Sequence, residues 1–409
     1  MSTESEPDDP TPGMVECSVC QTDVPEGEFC GLCGDHLTDH RAKGLRWLRI
    51  RAYSASPGEH LLRPNIVSSL FPHLSPSSRL PFVLGLGLIL ATLIATALLR
   101  LPAALITVAA LGLPLLFLIY LQESDVFDDV PTSTLVTTAG LGIALGVGWV
   151  LLTGAVVAQA YDVGLGMGIA GSRILRDGLG VPIGGLILML VPAALVRLVR
   201  PGEREALDGF AIGALGALMF TAAAQMTRLA PQFAGGMVAR ARPMNGLVVE
   251  AGIRGVAVPL TAAAVGGLIG TALWFTRPAN KKHQHRNYVR IALTLFAFAV
   301  LVMYAVLGLV DVARLPQTLQ LVLHLVVATS ALLALRVGLH LALLHEAHDE
   351  ILSDEPLLCP YCGHVVPDMA FCVACGAATR ASSRSSRQAR RDVRPVRVEA
   401  GPEPEADEP

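Results

Sequence analysis

Residues 81–99 read Pro81-Phe-Val-Leu-Gly-Leu-Gly-Leu-Ile-Leu-Ala-Thr-Leu-Ile-Ala-Thr-Ala-Leu-Leu99, without one charged or amide side chain. A helix on a soluble surface keeps a polar face, and this stretch has none. A bilayer core calls for roughly 20 such residues in a row. The stretch therefore predicts a membrane-spanning helix. Arg100-Leu101-Pro102 follows at once and a second apolar block begins, so the first two spans must form a tight hairpin.

Outward from this hairpin, apolar blocks run to Leu344. They predict eight spans, at 81–99, 101–121, 135–160, 178–199, 207–229, 247–275, 288–310 and 317–345. Two of them exceed the bilayer thickness and are expected to tilt or to run past it. The chain is 52% hydrophobic and 16% charged, with mean hydropathy +0.54, against about 25% charged for soluble domains. Residues 1–12 hold no basic n-region and no apolar h-region, so the first span is expected to act as an uncleaved anchor. Arg outnumbers Lys, and Ala and Gly abound, a composition expected of a high-GC bacterial genome.

Lysine and arginine set the orientation. With both ends inside, 22 of the 31 basic residues fall in inside segments and 7 in outside segments. The expectation is a multi-pass inner-membrane protein with both termini cytoplasmic. The acidic loop Glu123–Asp129 runs against it, lying inside with no basic residue.

All eight cysteines lie outside the apolar region. Cys17-Ser-Val-Cys20 is followed after nine residues by Cys30-Gly-Leu-Cys33-Gly34; Cys359-Pro-Tyr-Cys362 is followed after nine by Cys372-Val-Ala-Cys375-Gly376. The offset is 342 throughout, and 8 of 18 positions match, including Val24/Val366, Pro25/Pro367 and Phe29/Phe371. Each C-x-x-C turn aims two thiolates at one ion, and two turns complete a tetrahedral S₄ site. Four thiolates leave no open position, so two structural zinc ions are expected rather than catalytic ones. Segments this short bury little, so metal must supply their folding energy. A redox disulfide and an iron–sulfur cluster are the rivals. Phe29 and Phe371 are expected to cover their sites, and neither ribbon is expected to share a core with the membrane domain.

These segments resemble the short zinc ribbons of bacterial and archaeal proteins. Such ribbons serve protein contacts, nucleic-acid contacts or regulation. These are not basic, so nucleic acid is not the expected partner.

Few polar groups interrupt the spans. Glu250 and Arg254 stand four apart and can pair along one helix face. Arg336 and His340 are expected to snorkel to the cytoplasmic interface. The glycines of Gly140-Leu-Gly142-Ile-Ala-Leu-Gly146-Val-Gly148 suit close helix packing.

Val181-Pro-Ile-Gly-Gly185, with Ala206-Leu-Asp208-Gly-Phe-Ala-Ile-Gly-Ala-Leu-Gly216-Ala-Leu-Met-Phe220, resembles part of the PrsW family of intramembrane metalloproteases. A third helix around Arg254–Gly270 would match that family's histidine-bearing helix. The resemblance would put acids at Gly184, Gly185 and Ala224, and a histidine within 247–275, where there is none. It therefore implies a non-catalytic relative.

The fold class expected is an all-α polytopic membrane bundle of about eight transmembrane helices flanked by two small zinc ribbons. Its parts are a disordered acidic N-terminus (1–16), a ribbon (17–34), a basic linker (35–80), the helical domain (81–345), a ribbon (359–376) and a disordered tail (377–409). In the tail, Ser382, Ser383, Ser385 and Ser386 lie among arginines, where phosphorylation would neutralise charge. The function expected is not enzymatic. It is the presentation of two cytoplasmic Cys₄ ribbons, Cys17, Cys20, Cys30 and Cys33 with Cys359, Cys362, Cys372 and Cys375, to a cytoplasmic or membrane protein partner. Membrane lipid is the other contact. A PrsW-like protease and a small-molecule transporter are the alternatives.

Overall fold

The structure is a computed structural model. It describes residues 13–37, 48, 50, 52–74, 76–161, 176–199, 205–231, 244–275, 286–313, 315–346 and 349–394. Of the residues expected to be disordered, 1–12 and 395–409 lie outside the described residues, whereas Met14–Glu16 form a strand that pairs with Asp23–Pro25 of the first ribbon.

Among the described residues, eight helical segments are long and apolar enough to cross a membrane. They comprise α2 (Pro76–Leu98), α3 (Pro102–Glu123), α5 (Thr132–Tyr161), α6 (Val181–Val199), α7 (Ala206–Leu229), α8 (Met244–Ala251) continuing into α9 (Val258–Trp274), α10 (Arg286–Val312) and α11 (Gln317–His345). Short helix α1 (Ile66–Leu70) precedes α2 in sequence, and α4 (Val126–Asp129) lies between α3 and α5. The α2–α3 hairpin closes on Arg100, at φ +55°, and Pro102 starts α3, where proline costs no hydrogen bond.

Helix α7 is the axis of the bundle. It is almost wholly enclosed and packs against α9, α5, α3 and α6. Gly209 and Gly213 face Gly266 and Gly270 of α9, and a Cβ on any of the four would run into the opposing backbone carbonyl. This is a small-xxx-small contact on both partners, the packing that replaces hydrophobic burial in lipid. In the glycine run of α5, Gly142 and Gly146 pack against the α7 backbone, while Gly140 and Gly148 meet nothing.

Three expectations are corrected. Arg336 and His340 do not snorkel: both are buried. Arg336 donates to Leu61 O (2.9 Å) and to Glu59 Oε2 (2.9 Å), and its guanidinium lies 4.0 Å from the centre of the Tyr53 ring. His340 Nδ1 accepts from the Ser54 amide (3.1 Å). Both are covered because residues 52–74, expected as a linker, fold onto the bundle end and add Tyr53, Leu61, Leu70 and Phe71 to its core.

Residues after 376 are also not wholly disordered. Helix α12 (Arg384–Asp392) is capped by Ser383, whose Oγ accepts from the Ser386 amide at 3.2 Å. Its arginines meet acids of the bundle end: Arg387 reaches Glu205 (2.6 Å) and Asp349 (2.8 Å). Ser382 and Ser383 are buried.

Finally, the second ribbon does share the core. Ala370, Phe371, Ala378 and Ala381 join the cluster that runs through the membrane helices.

Candidate metal centres

Each Cys₄ set sits on a short antiparallel hairpin. β1 (Met14–Glu16) pairs with β2 (Asp23–Pro25), and β3 (Leu352–Leu358) pairs with β4 (Val365–Asp368). All four cysteine knuckles close alike. Cys17, Cys30, Cys359 and Cys372 donate their amides to Thr22, Asp35, His364 and Ala377 at 3.0, 2.7, 2.9 and 2.9 Å. The residue after the second cysteine of each knuckle is left-handed: Gln21 (φ +53°), Gly34 (+71°), Gly363 (+71°) and Gly376 (+73°). Glycine suits three of these turns, and Gln21 is the strained exception.

In each set the four sulfurs lie within 4.8 Å of one another. Two pairs are 3.6 and 3.8 Å apart in the first set, and two are 3.8 and 3.9 Å apart in the second. A disulfide would bring sulfurs to about 2.05 Å. A tetrahedron with metal–sulfur bonds of about 2.3 Å has edges of about 3.8 Å. The donor geometry therefore fits a four-coordinate metal ion, and the eight expected ligands fall into their two expected groups. Among the described residues, no other group of three or more His, Cys, Asp or Glu side chains converges in this way.

The two ribbons pair with each other. The Phe29 amide donates to Val373 O and the Phe371 amide donates to Gly31 O, both at 2.9 Å. With the offset of 342 these bonds are one bond and its two-fold mate. The rings cross as well. A Cβ on Gly34 would lie 2.8 Å from the Phe371 ring, and one on Gly376 would lie 2.8 Å from the Phe29 ring. Each phenylalanine covers its neighbour's second knuckle rather than its own. Leu32 packs against the buried clusters of both ribbons. Nothing in the spacing of either motif announces this exchange; the matched Phe and Gly positions were the only hint.

The pair is fixed to the bundle through the second ribbon. Tyr361 Oη donates to Ala55 O (2.6 Å), and the Ala378 amide donates to Ser54 O (3.1 Å). The His73 ring meets Tyr361 edge-on at 5.4 Å. Burial, then Arg390 and Arg387, lowers the His73 imidazole to about 3, so it stays neutral. Asp368 takes Arg391 (2.8 Å) and Arg394 (3.2 Å). Asp129 accepts from the Ser385 amide (2.7 Å) and the Arg384 amide at the start of α12, a carboxylate at a positive helix end. The acidic loop that ran against the charge bias thus meets the arginine-rich tail on one face. Because the ribbons touch, they lie on one side of any membrane the helices cross.

Fold and sites together define a multi-pass membrane protein with two Cys₄ metal-binding sites. No protein-family model, no curated protein and no solved structure matches the chain. The resemblance to the PrsW family gains no support there. At the positions where it would call for acids, Gly184 and Gly185 lie under the Trp149 indole.

Proposed function

We propose that the chain is a non-enzymatic membrane platform whose two ribbons, each folded around a structural zinc ion, form one binding surface on the cytoplasmic side. The observation that carries this is the two-fold pairing of the ribbons. Two ribbons joined by the Phe29–Val373 and Phe371–Gly31 bonds present one continuous face. Anchoring by Tyr361 and Arg387 holds that face rigidly against the membrane helices. Four soft thiolates favour zinc over harder ions, and a closed S₄ shell gives it a structural task. The C-x-x-C spacing, which favours metal ligation in a reducing compartment, and the basic bias of the inside segments support a cytoplasmic location.

The chemistry of the face indicates its partner. Residues 13–37 hold five acids and no Lys or Arg, and Glu16, Asp23, Glu26 and Glu28 are exposed. Met14, Val15, Leu358 and Val365 are large apolar side chains left exposed on the ribbon strands. A protein that brings basic side chains around an apolar anchor fits this surface.

The test is photo-crosslinking in native membranes from Val15 and from Val365. One protein, captured from both positions and lost when either Cys₄ set is converted to Ser, is the expected result. Different proteins from the two positions, or capture that survives loss of the ribbons, would overturn the reading.

A further inference from the structure

A second candidate site lies in the half of the bundle away from the ribbons. Helix α7 starts beside them, where the Ala206 amide donates to Glu346 (2.9 Å). Arg228 lies one residue from its far end, about 33 Å along at 1.5 Å per residue. Around it the helices leave two hollows. One, of about 260 Å³, has apolar walls that include Trp149, Val181, Phe220 and Leu307. The other, of about 600 Å³, is lined by Glu250, Arg254, Gln317 and Gln320. Gln225, Arg228, Asp311 and His324 line both, so the two are lobes of one cavity.

Among the described residues, not every charge in it has an ion-pair partner. Arg254 pairs with Glu250 (3.2 Å) and Arg176 with Asp177 (2.8 Å), and His324 Nε2 lies 2.9 Å from Asp311 Oδ1. Among the described residues, Arg228 makes no ion pair and no hydrogen bond. Two further polar atoms, Gln225 Oε1 and His324 Nδ1, are buried without a hydrogen-bond partner, although both side chains are more than nine-tenths buried. Buried polar atoms are rarely left so; water, an ion or a ligand takes up the partner's place. The backbone is unusual here too. Two π-turns, Arg176–Gly180 and Gly252–Ala257, border the cavity, and such turns collect at functional sites.

We infer that this cavity binds a phosphate-headed amphiphile from the membrane. Arg228 takes the anionic oxygen. Gln225 and His324 meet the hydroxyl and ester groups of the head, and the chain enters the lobe beneath Trp149. An inorganic anion alone would leave the apolar lobe unfilled; an uncharged hydrophobe would leave Arg228 and the two polar atoms unanswered. The inference is independent of the ribbon surface, and either can fail without the other.

Trp149 supplies the readout. The probe is lysophosphatidic acid brominated on its chain, added to the full-length protein in phosphatidylcholine nanodiscs. A saturable part of the fluorescence quenching should vanish in Trp149→Phe. Arg228→Gln should raise its half-saturation about tenfold, Arg228→Lys much less, and a brominated monoacylglycerol should bind about tenfold more weakly. Should Arg228→Gln fail to fold, as judged by its melting temperature in detergent, Gln225→Leu and the head-group comparison carry the same test. Unsaturable quenching that is equal for every head group would overturn the inference, as would an Arg228→Gln half-saturation within about twofold of wild type. Displacement of the probe by equimolar inorganic phosphate would also overturn it, since the site would then take the anion alone.

Discussion

Replacing Arg387 by Gln should unfasten α12 and loosen the second ribbon while leaving the membrane helices in place. The Arg387 side chain is 4% exposed. It donates to both carboxylate oxygens of Glu205 (2.6 and 3.1 Å), to Asp349 (2.8 Å) and to Ser382 O (2.8 Å). Breaking a buried pair from one side costs about 3–5 kcal/mol, because a buried charge is left uncompensated. Arg380 remains 3.3 Å from Glu205 and 2.9 Å from Asp349, which reduces the cost to about 2–3 kcal/mol. At about 1.4 kcal/mol per factor of ten, residues 379–392 should open about 30- to 150-fold more often. Amide exchange followed by mass spectrometry reads this directly. Arg387→Lys keeps the charge without the fork and should fall between. The double variant with Glu205→Gln removes both buried charges and should recover part of the protection. Burial raises the Asp349 carboxyl, but Arg387 and Arg380 outweigh burial and hold it below its ordinary value. That stability is present above the unfolded value and is lost as pH falls through the folded one. Wild type should therefore loosen in acid, and Arg387→Gln should show less of this. An exchange increase below about threefold, or a double variant that opens more readily than Arg387→Gln alone, would refute the reasoning.

Further outcomes follow from other contacts. Purified protein should hold about two zinc ions per chain, and Cys17→Ser with Cys20→Ser should remove one by elemental analysis; a visible iron–sulfur absorbance would exclude zinc. Gln21→Gly should relieve the left-handed strain and stabilise the first ribbon by about 1 kcal/mol, read as slower zinc loss to a chelator. Burial raises the Glu346 carboxyl from 4.5 to about 7. The stability tied to its protonated form is complete below 4.5 and lost as pH rises through about 7, so the melting temperature in detergent should fall across that window in wild type and not in Glu346→Gln. Gly266→Val puts a branched side chain against the α7 backbone; it should cost about 1–3 kcal/mol or more and lower the melting temperature in detergent.

The eight spans were legible because a bilayer imposes one rule on every crossing segment, and Arg100-Leu101-Pro102 marked the one ambiguous boundary. The two Cys₄ sets were legible because metal geometry fixes their spacing. What the sequence hid is long-range. Arg387 and Glu205 are 182 residues apart, Arg336 and Glu59 277, and no local pattern ties such partners together. A signal for α12 was present: Arg384, Arg387 and Arg391 recur every three or four residues behind the Ser383 cap, a helical stripe within a tail expected to be disordered. The loop at Asp125–Asp129 likewise made sense only once Asp129 met α12. The Arg228 cavity gave no motif at all, since its polar residues come singly from separate helices.

The pairing of the ribbons into one unit is tested most directly at the Phe29 amide. It belongs to the first ribbon but donates to Val373 O of the second. Cys359→Ser with Cys362→Ser removes the second metal site and leaves the first intact. Hydrogen exchange in the full-length protein should then show the Phe29 amide losing its protection, while the Cys30 amide, bonded to Asp35 O within its own ribbon, keeps it. Protection of Phe29 unchanged after the second metal is lost would contradict the pairing and, with it, the single binding surface.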